Sequence, residues 1–206
     1  MSQFFQIHPK NPQGHLIRDA IAILRAGGVI IYPTDSGYAL GCQMGDKNAI
    51  ERIKQIRHLD EKHHMTLMCR DLSELATYAD VDNSVYRILK THTPGAYTFI
   101  LKATREVPKR LQHPKRKTIG IRVPDHIISL ALLEALDEPL MSSTLILPGQ
   151  DTPLIEPAAM QDLLGRQVEL VIDGGPCGME PTTIIDLVDG APRIVRHGKG
   201  DPEPFM

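Results

Sequence analysis

The residues of this chain with usable chemistry are cations and hydroxyls that interrupt apolar runs or stand at their ends. They are Thr34 and Tyr38, Lys54 and Arg57, Thr98, Thr118 and Arg122, Ser142, Ser143 and Thr144, Thr182 and Thr183, and Arg196. Singly each has an ordinary structural role, because a strand-end threonine often satisfies backbone and a lone arginine is usually solvated. Gathered on one cavity they would hold a triphosphate and a small carboxylate. Such a site works by positioning and charge stabilisation and needs no side-chain nucleophile.

Other chemistries lack their signatures. The sequence has no G-x-x-x-x-G-K-[ST], no G-x-G-x-x-G and no G-x-S-x-G. His58, His63, His64 and Cys69 cluster but match no zinc spacing, so no metal site is expected. Cys69 sits in an apolar run, where a buried inert thiol is the common case. Cys42, Cys69 and Cys177 are few, odd in number and widely spaced, which suits a reducing cytoplasm.

Composition bounds the classes. A chain of 206 residues with 42% apolar and 23% charged residues fits one folded domain. No apolar run approaches a membrane span, and Met1 to Lys10 contains no signal-peptide core. Net charge is −2, which excludes a globally basic nucleic-acid binder. The charge is nevertheless segregated. Residues 1–126 have a balance of +7 and residues 127–206 a balance of −9. The base is concentrated in residues 54–70 and 102–122, and the second stretch holds Lys109, Arg110, Lys115, Arg116 and Lys117. These form either a phosphate-binding face or two solvated loops.

The elements that must position these residues follow from periodicity. Leu16, Ile17, Ala20, Ile21 and Leu24 make one face of a helix over residues 14–26, stopped by Gly27-Gly28. A strand over 29–32, a turn over 33–37 and a strand over 39–43 follow. Asp46 caps a helix with Ala49, Ile50, Ile53 and Ile56 on its face. Residues 58–64 read as a polar loop, 65–69 as a strand, and 71–78 and 84–90 as helices. A strand over 96–102, a basic loop or helical turn over 109–117, a strand over 119–123 and a helix over 125–136 come next. Residues 140–147 make a hydroxyl-rich strand and 157–164 a helix, and strands over 168–172, 183–187 and 193–196 finish the chain. The glycine-rich run 173–178 reads as a hairpin loop between two of them. Irregular interleaving with strands at the end favours a mixed sheet over a doubly wound parallel one.

The polar positions also come in an ordered set of motifs. Gly27 to Gly41, GGVIIYPTDSGYALG, resembles the G-G-x-x-x-x-P-T-[DE]-T-x-Y-G-L-x opening of the YrdC/YciO family. Lys54-Gln55-Ile56-Arg57 is similar to its K-x-R segment with one extra residue, and Pro94 to Thr98 to its P-G-x-x-T. Thr118 to Pro124 resembles T-x-x-x-R-x-P, Pro181 to Asp186 resembles P-S-T-[VI]-[VI]-D, and Arg196-His197-Gly198 resembles the closing R-x-G. The resemblance implies an α/β fold: a single YrdC-like domain over residues 12–200, with a twisted mixed sheet flanked by helices around a large concave positively charged cavity. Residues 201–206 would be a short tail. It further implies synthesis of threonylcarbamoyl-AMP from L-threonine, bicarbonate and ATP with Mg²⁺, releasing pyrophosphate, for modification of adenosine 37 in tRNA. Thr34, Tyr38, Arg122, Ser142 and Thr182 would face the amino acid. Lys54, Arg57, Thr118, Ser143, Thr144 and Arg196 would face the nucleotide, with Lys54 and Arg57 catalytic.

The chain departs from the family pattern at the reacting end. S-A-N-x-S-G is here Thr144-Leu145-Ile146-Leu147-Pro148-Gly149, so a hydrocarbon replaces an amide. A strand histidine expected near Cys69 is missing, His64 stands about where an asparagine is common, and Ser36, Gly37 and Ala39 differ. Three readings follow: a synthase-like enzyme, weakened or retuned; a double-stranded RNA or tRNA binding module using the basic face; or a nucleotide-using enzyme acting on another substrate.

Overall fold

The protein is described by a computed structural model covering residues 1–60 and 65–206. Lys62, His63 and His64 of the expected polar loop lie outside the described residues.

Ten strands form one open mixed sheet: β1 (Gln3–Gln6), β2 (Ile30–Thr34), β3 (Gly37–Gln43), β4 (Thr66–Met68), β5 (Tyr97–Lys102), β6 (Thr118–Arg122), β7 (Leu140–Thr144), β8 (Leu170–Asp173), β9 (Thr183–Asp186) and β10 (Arg193–Arg196). Their order is β1-β8-β2-β3-β7-β4-β6-β5-β9-β10. Among the described residues six helices flank it: α1 (Gly14–Arg25), α2 (Lys47–Arg57), α3 (Leu72–Tyr78), α4 (Asn83–His92), α5 (Ile127–Leu136) and α6 (Pro157–Leu164). The expected mixed α/β architecture is the one observed.

Local chemistry accounts for the helix boundaries. Asp46, Asp71 and Asp82 each accept a hydrogen bond from the amide three residues on, meeting a donor the first turn leaves open. The apolar faces then choose sides of the sheet. Ala49, Ile50, Ile53 and Ile56 of α2 pack with Leu75 of α3, Leu89 of α4 and Met160 of α6 against Leu40, Leu67, Phe99 and Ile121. On the other side Ile17, Ala20, Ile21 and Leu24 of α1 join Ile128, Leu132, Leu133 and Leu136 of α5 over Ile30, Tyr32, Leu140 and Leu170. Among the described residues that second layer has two helices. They pack over residues of β8, β2, β3 and β7, and none of their cluster comes from β6, β5, β9 or β10.

Several expectations are corrected. Residues 3–6 form a parallel edge strand on β8 that the sequence did not reveal. Pro33 and Thr34 belong to β2 rather than to a turn. Proline is tolerated there because β8 pairs with β2 only at Ile30 and Ile31, so at Pro33 the ladder is one-sided. The hydroxyl-rich strand ends at Thr144 rather than 147.

The run 173–178 is not a hairpin loop. β8 pairs with β1 and β2, whereas β9 pairs with β5 and β10, so the segment crosses the sheet between them. It passes over the β2–β3 turn, where Gly37 has φ +113° and a Cβ added there would lie 3.2 Å from the Gly178 carbonyl oxygen. The last residues are packed rather than loose. Phe205 is buried against Tyr97 and His92, with ring centroids 5.7 and 4.7 Å away, and the Tyr97 hydroxyl donates to the Asp201 carbonyl.

Candidate functional site

The uncovered part of the sheet is a cavity of about 390 Å³. That is within the range of small-molecule sites. Register explains its lining. Ala39 pairs with Thr144, Thr66 with both Ser142 and Gly120, Met68 with Arg122, and Thr98 with Ile184. With a side-chain period of two, these positions share one face. Along β7 that face changes from Leu140, under the helices, to Ser142 and Thr144, in the cavity. Arg57 enters from the end of α2 and Arg196 from the end of β10. Three arginines therefore line the cavity, and among the described lining residues there is no carboxylate.

The three guanidiniums are held differently. Arg57 donates from Nη1 to Ser143 Oγ (2.6 Å) and from Nε to the Ile146 carbonyl (3.2 Å). Arg196 donates from Nε and Nη2 to the Thr182 carbonyl (3.0 and 2.8 Å), and from Nη2 to Thr182 Oγ1 (3.1 Å). All these acceptors are neutral. Burial lowers the pKa of both groups, and Arg122 adds to the effect at Arg196. As guanidiniums both are cations at neutral pH. Arg122 instead donates from Nη1 to Ser36 Oγ (2.9 Å) and forms a buried ion pair from Nη2 to Asp35.

The hydroxyls are equally organised. Thr34 Oγ1 donates to the Gly37 carbonyl (2.6 Å) and accepts from the Ser36 amide (3.1 Å). Thr98 and Thr182 share a 2.8 Å hydrogen bond. Ser142 Oγ is 2.7 Å from the Tyr32 hydroxyl and donates to the Leu40 carbonyl (3.2 Å). The Tyr38 hydroxyl donates to the Gly175 carbonyl (2.7 Å) and accepts from the Gly174 amide (3.2 Å). Burial raises its pKa strongly. Tyr38 thus ties the glycine-rich crossing to the cavity wall.

Of the residues singled out from sequence, Thr34, Tyr38, Arg57, Arg122, Ser142, Ser143, Thr144, Thr182 and Arg196 line this one cavity. Lys54 does not. It stands 3.6 Å from Glu51 and lines a separate depression with Gln55, His58 and Asp60. One helical turn before Arg57, it is about 4.5 Å further back along the axis, which places it behind the rim. Thr118 is buried at the opposite end of β6 from Arg122, beside Lys102, and is not among the lining residues. Sequence reasoning missed Asp35 and Ser36 as partners of Arg122. The available signal was an acid set between hydroxyls in a stretch, residues 26–45, with no other charged residue.

The basic stretch lies elsewhere and is partly engaged internally. Arg116 pairs with buried Asp186 (2.9 Å), Arg110 donates to the Gly45 carbonyl (3.3 Å) and Lys117 to the Pro114 carbonyl (2.8 Å). Among the described residues no three His, Cys, Asp or Glu side chains converge. Hydroxyls and guanidiniums without a lining carboxylate do not fit a protein-held Mg²⁺ site, since that ion takes carboxylates or substrate phosphates. Among the described residues no helix is long and apolar enough to cross a membrane.

Comparison with known proteins agrees with this fold. Escherichia coli YciO is 59% identical over 206 residues, covering 100% of both chains, and its crystal structure superposes with a TM-score of 0.96. The threonylcarbamoyl-AMP synthase of Pyrococcus abyssi is 28% identical over 185 residues, covering 88% of this chain and 54% of that protein's length. The fold is also that of P. abyssi Sua5 complexed with L-threonine, at 24% identity and a TM-score of 0.87 over 96% of this chain and 58% of that one. The Sua5/YciO/YrdC family model, described as "Telomere recombination", matches residues 22–198. With most of its length matched by that model and its whole fold shared with YciO, the chain belongs to the Sua5/YciO/YrdC family.

Proposed function

We propose that the cavity binds ATP beside a small amino acid and that the chain is a threonylcarbamoyl-AMP synthase-like adenylyltransferase. One observation carries the reading: Arg57, Arg122 and Arg196 line a single hydroxyl-rich cavity without a lining carboxylate. Among the described residues Arg57 and Arg196 are held by neutral oxygens, so their charge is available to phosphates. Arg122 is already paired, and it stands with Thr34 and Thr182 at the amino-acid end. The relationship to a P. abyssi synthase and the fold shared with the L-threonine complex support the same assignment.

The chemistry needs little from side chains. A carbamate oxygen of N-carboxythreonine attacks the α-phosphorus, the bond to the bridging oxygen breaks, and pyrophosphate leaves with the electron pair. Negative charge grows on the leaving group, where a fixed guanidinium such as Arg57 is most effective. Mg²⁺, arriving on the nucleotide, supplies further neutralisation of the phosphates. Lys54 contributes only if it leaves Glu51 and swings toward the phosphates. At Ile146 the backbone carbonyl fixes Arg57, but the side chain offers hydrocarbon where the family pattern has an amide. A lost polar contact there costs about 1–3 kcal/mol, so turnover is expected to be slower than the family's pattern would give.

An RNA-binding role is the weaker reading, because Arg110, Arg116 and Lys117 are each engaged within the protein. Free cysteines, two of them buried, agree with a cytoplasmic setting. The test incubates the protein with ATP labelled at the α-phosphate, Mg²⁺, bicarbonate and L-threonine. A labelled adenylate that requires both bicarbonate and L-threonine, and disappears in Arg57→Ala, is expected. ATP binding without that product overturns the synthase reading. RNA affinity that falls steeply with salt, without any adenylate, would put the basic face first.

A further inference from the structure

The geometry points to Asp35 as a positioning residue for Arg122, holding one edge of its guanidinium so that the other faces a ligand carboxylate. The inference rests on the amino-acid reading of this end of the cavity. Its first test below does not.

Arg122 is the last residue of β6, with its side chain 7% exposed. A long side chain on a strand end has many rotamers, and a bidentate ligand needs one. Here the choice is made from the β2–β3 turn. Asp35 takes Nη2 and Ser36 takes Nη1, so both terminal nitrogens are held by residues of the β2–β3 turn. Each terminal nitrogen thereby has one acceptor within the protein. Nε is buried and, among the described residues, has no hydrogen-bond partner. That orphan donor belongs to the side-on edge, which a carboxylate spans with two parallel hydrogen bonds.

Asp35 is itself fixed. Its second carboxylate oxygen accepts from the Asp125 amide (2.8 Å), and its backbone carbonyl accepts from Lys199 Nζ. Groups from β6, from the entry to α5 and from the segment after β10 therefore meet on one residue. The pairing also sets charge. With Asp35 cancelling Arg122, the uncompensated cations of the cavity are Arg57 and Arg196. A zwitterionic ligand at one end and a polyanion at the other suit that division.

The first test is ligand-free. Hydrogen exchange of the Arg122 Nε–H is followed by ¹⁵N NMR in the wild type and in Asp35→Asn. The amide keeps the shape but offers one oxygen where two are used. Exchange at least tenfold faster in Asp35→Asn, with near-wild-type exchange in Asp35→Glu, is expected. An unchanged rate in Asp35→Asn overturns the inference. Should that variant fail to fold, Ser36→Ala removes only the Nη1 acceptor. There a several-fold acceleration is expected, and no change is again fatal.

The second test compares binding of L-threonine, L-threoninol and ATP. Asp35→Asn is expected to weaken L-threonine at least tenfold while moving threoninol and ATP less than twofold. An equal loss for all three would mean a merely structural role and overturn the inference. A wild type that binds no L-threonine, yet shows the exchange effect, would remove the amino-acid reading and leave the positioning intact.

Discussion

Arg122→Met separates the buried ion pair from the rest of the cavity. Both partners are nearly sealed, with side chains 7% and 8% exposed. Methionine fills much of the same volume but leaves the Asp35 carboxylate with the Asp125 amide as its remaining hydrogen-bond donor. Removing one partner of a buried pair costs about 3–5 kcal/mol, because the other charge stays uncompensated. At roughly 2–4 °C per kcal/mol for a chain of this length, the thermal midpoint should fall by roughly 6–20 °C. The double variant Asp35→Asn/Arg122→Met removes the stranded charge and should recover at least half of the loss. Arg57→Met is the control. Arg57 is half-buried and bonded to neutral oxygens, so its stability change should stay within about 1 kcal/mol. Urea unfolding and calorimetry on the four proteins give the comparison. An Arg122→Met protein as stable as Arg57→Met, or a double variant no better than the single, would refute the reasoning.

Arg57→Ala should weaken ATP roughly 10–100-fold, the loss of one charge-assisted contact of about 1.5–3 kcal/mol. Titration calorimetry reads this directly, and Arg57→Lys should recover only part of it because the fork is lost. Ile146→Asn should raise the rate of pyrophosphate release at least roughly fivefold in a coupled assay, within the range of one restored polar contact. Burial pushes the Asp186 carboxyl up, but bonds from the Val188 amide, Arg116 and Arg193 outweigh it and hold it below its ordinary value of 3.8. Its stabilisation is therefore complete above that value and lost as pH falls through the lower, folded one. Asp186→Asn should flatten the acid limb of the stability profile measured by urea unfolding. Phe205→Ala should cost about 3 kcal/mol in the same measurement, since the ring closes the Tyr97 and His92 nest.

What the sequence made legible was local. The face of α1, the Asp46 cap of α2 and the hydroxyls of β7 are each decided within a few residues. What it hid was decided by distant partners. β1 is four residues long and pairs with a strand near the other end of the chain. The 173–178 crossing looked like a hairpin because successive strands usually pair, and here they do not. The motif order brought most of the candidate residues to one cavity, but it could not say which would be turned inward. Lys54 and Arg57 belong to one motif, yet a single helical turn separates a residue behind the rim from a lining one. Asp35 escaped notice because a counter-ion is chosen by the tertiary fold and not by spacing.

The half-covered face of the sheet has a consequence for how such a protein changes over time. Thr144 and Ile146 are only partly buried, and Ile146 belongs to neither hydrophobic cluster, so core packing draws little on either. Exchanging an amide for a hydrocarbon at position 146 alters what the cavity wall offers a ligand without unpacking a helix. The scaffold can therefore let one chemistry lapse and acquire another by single substitutions, each passing through a folded intermediate. Arg122 is the exception, since its charge is bound into the fold through Asp35. It is the lining position at which a change of chemistry would have to arrive together with its partner.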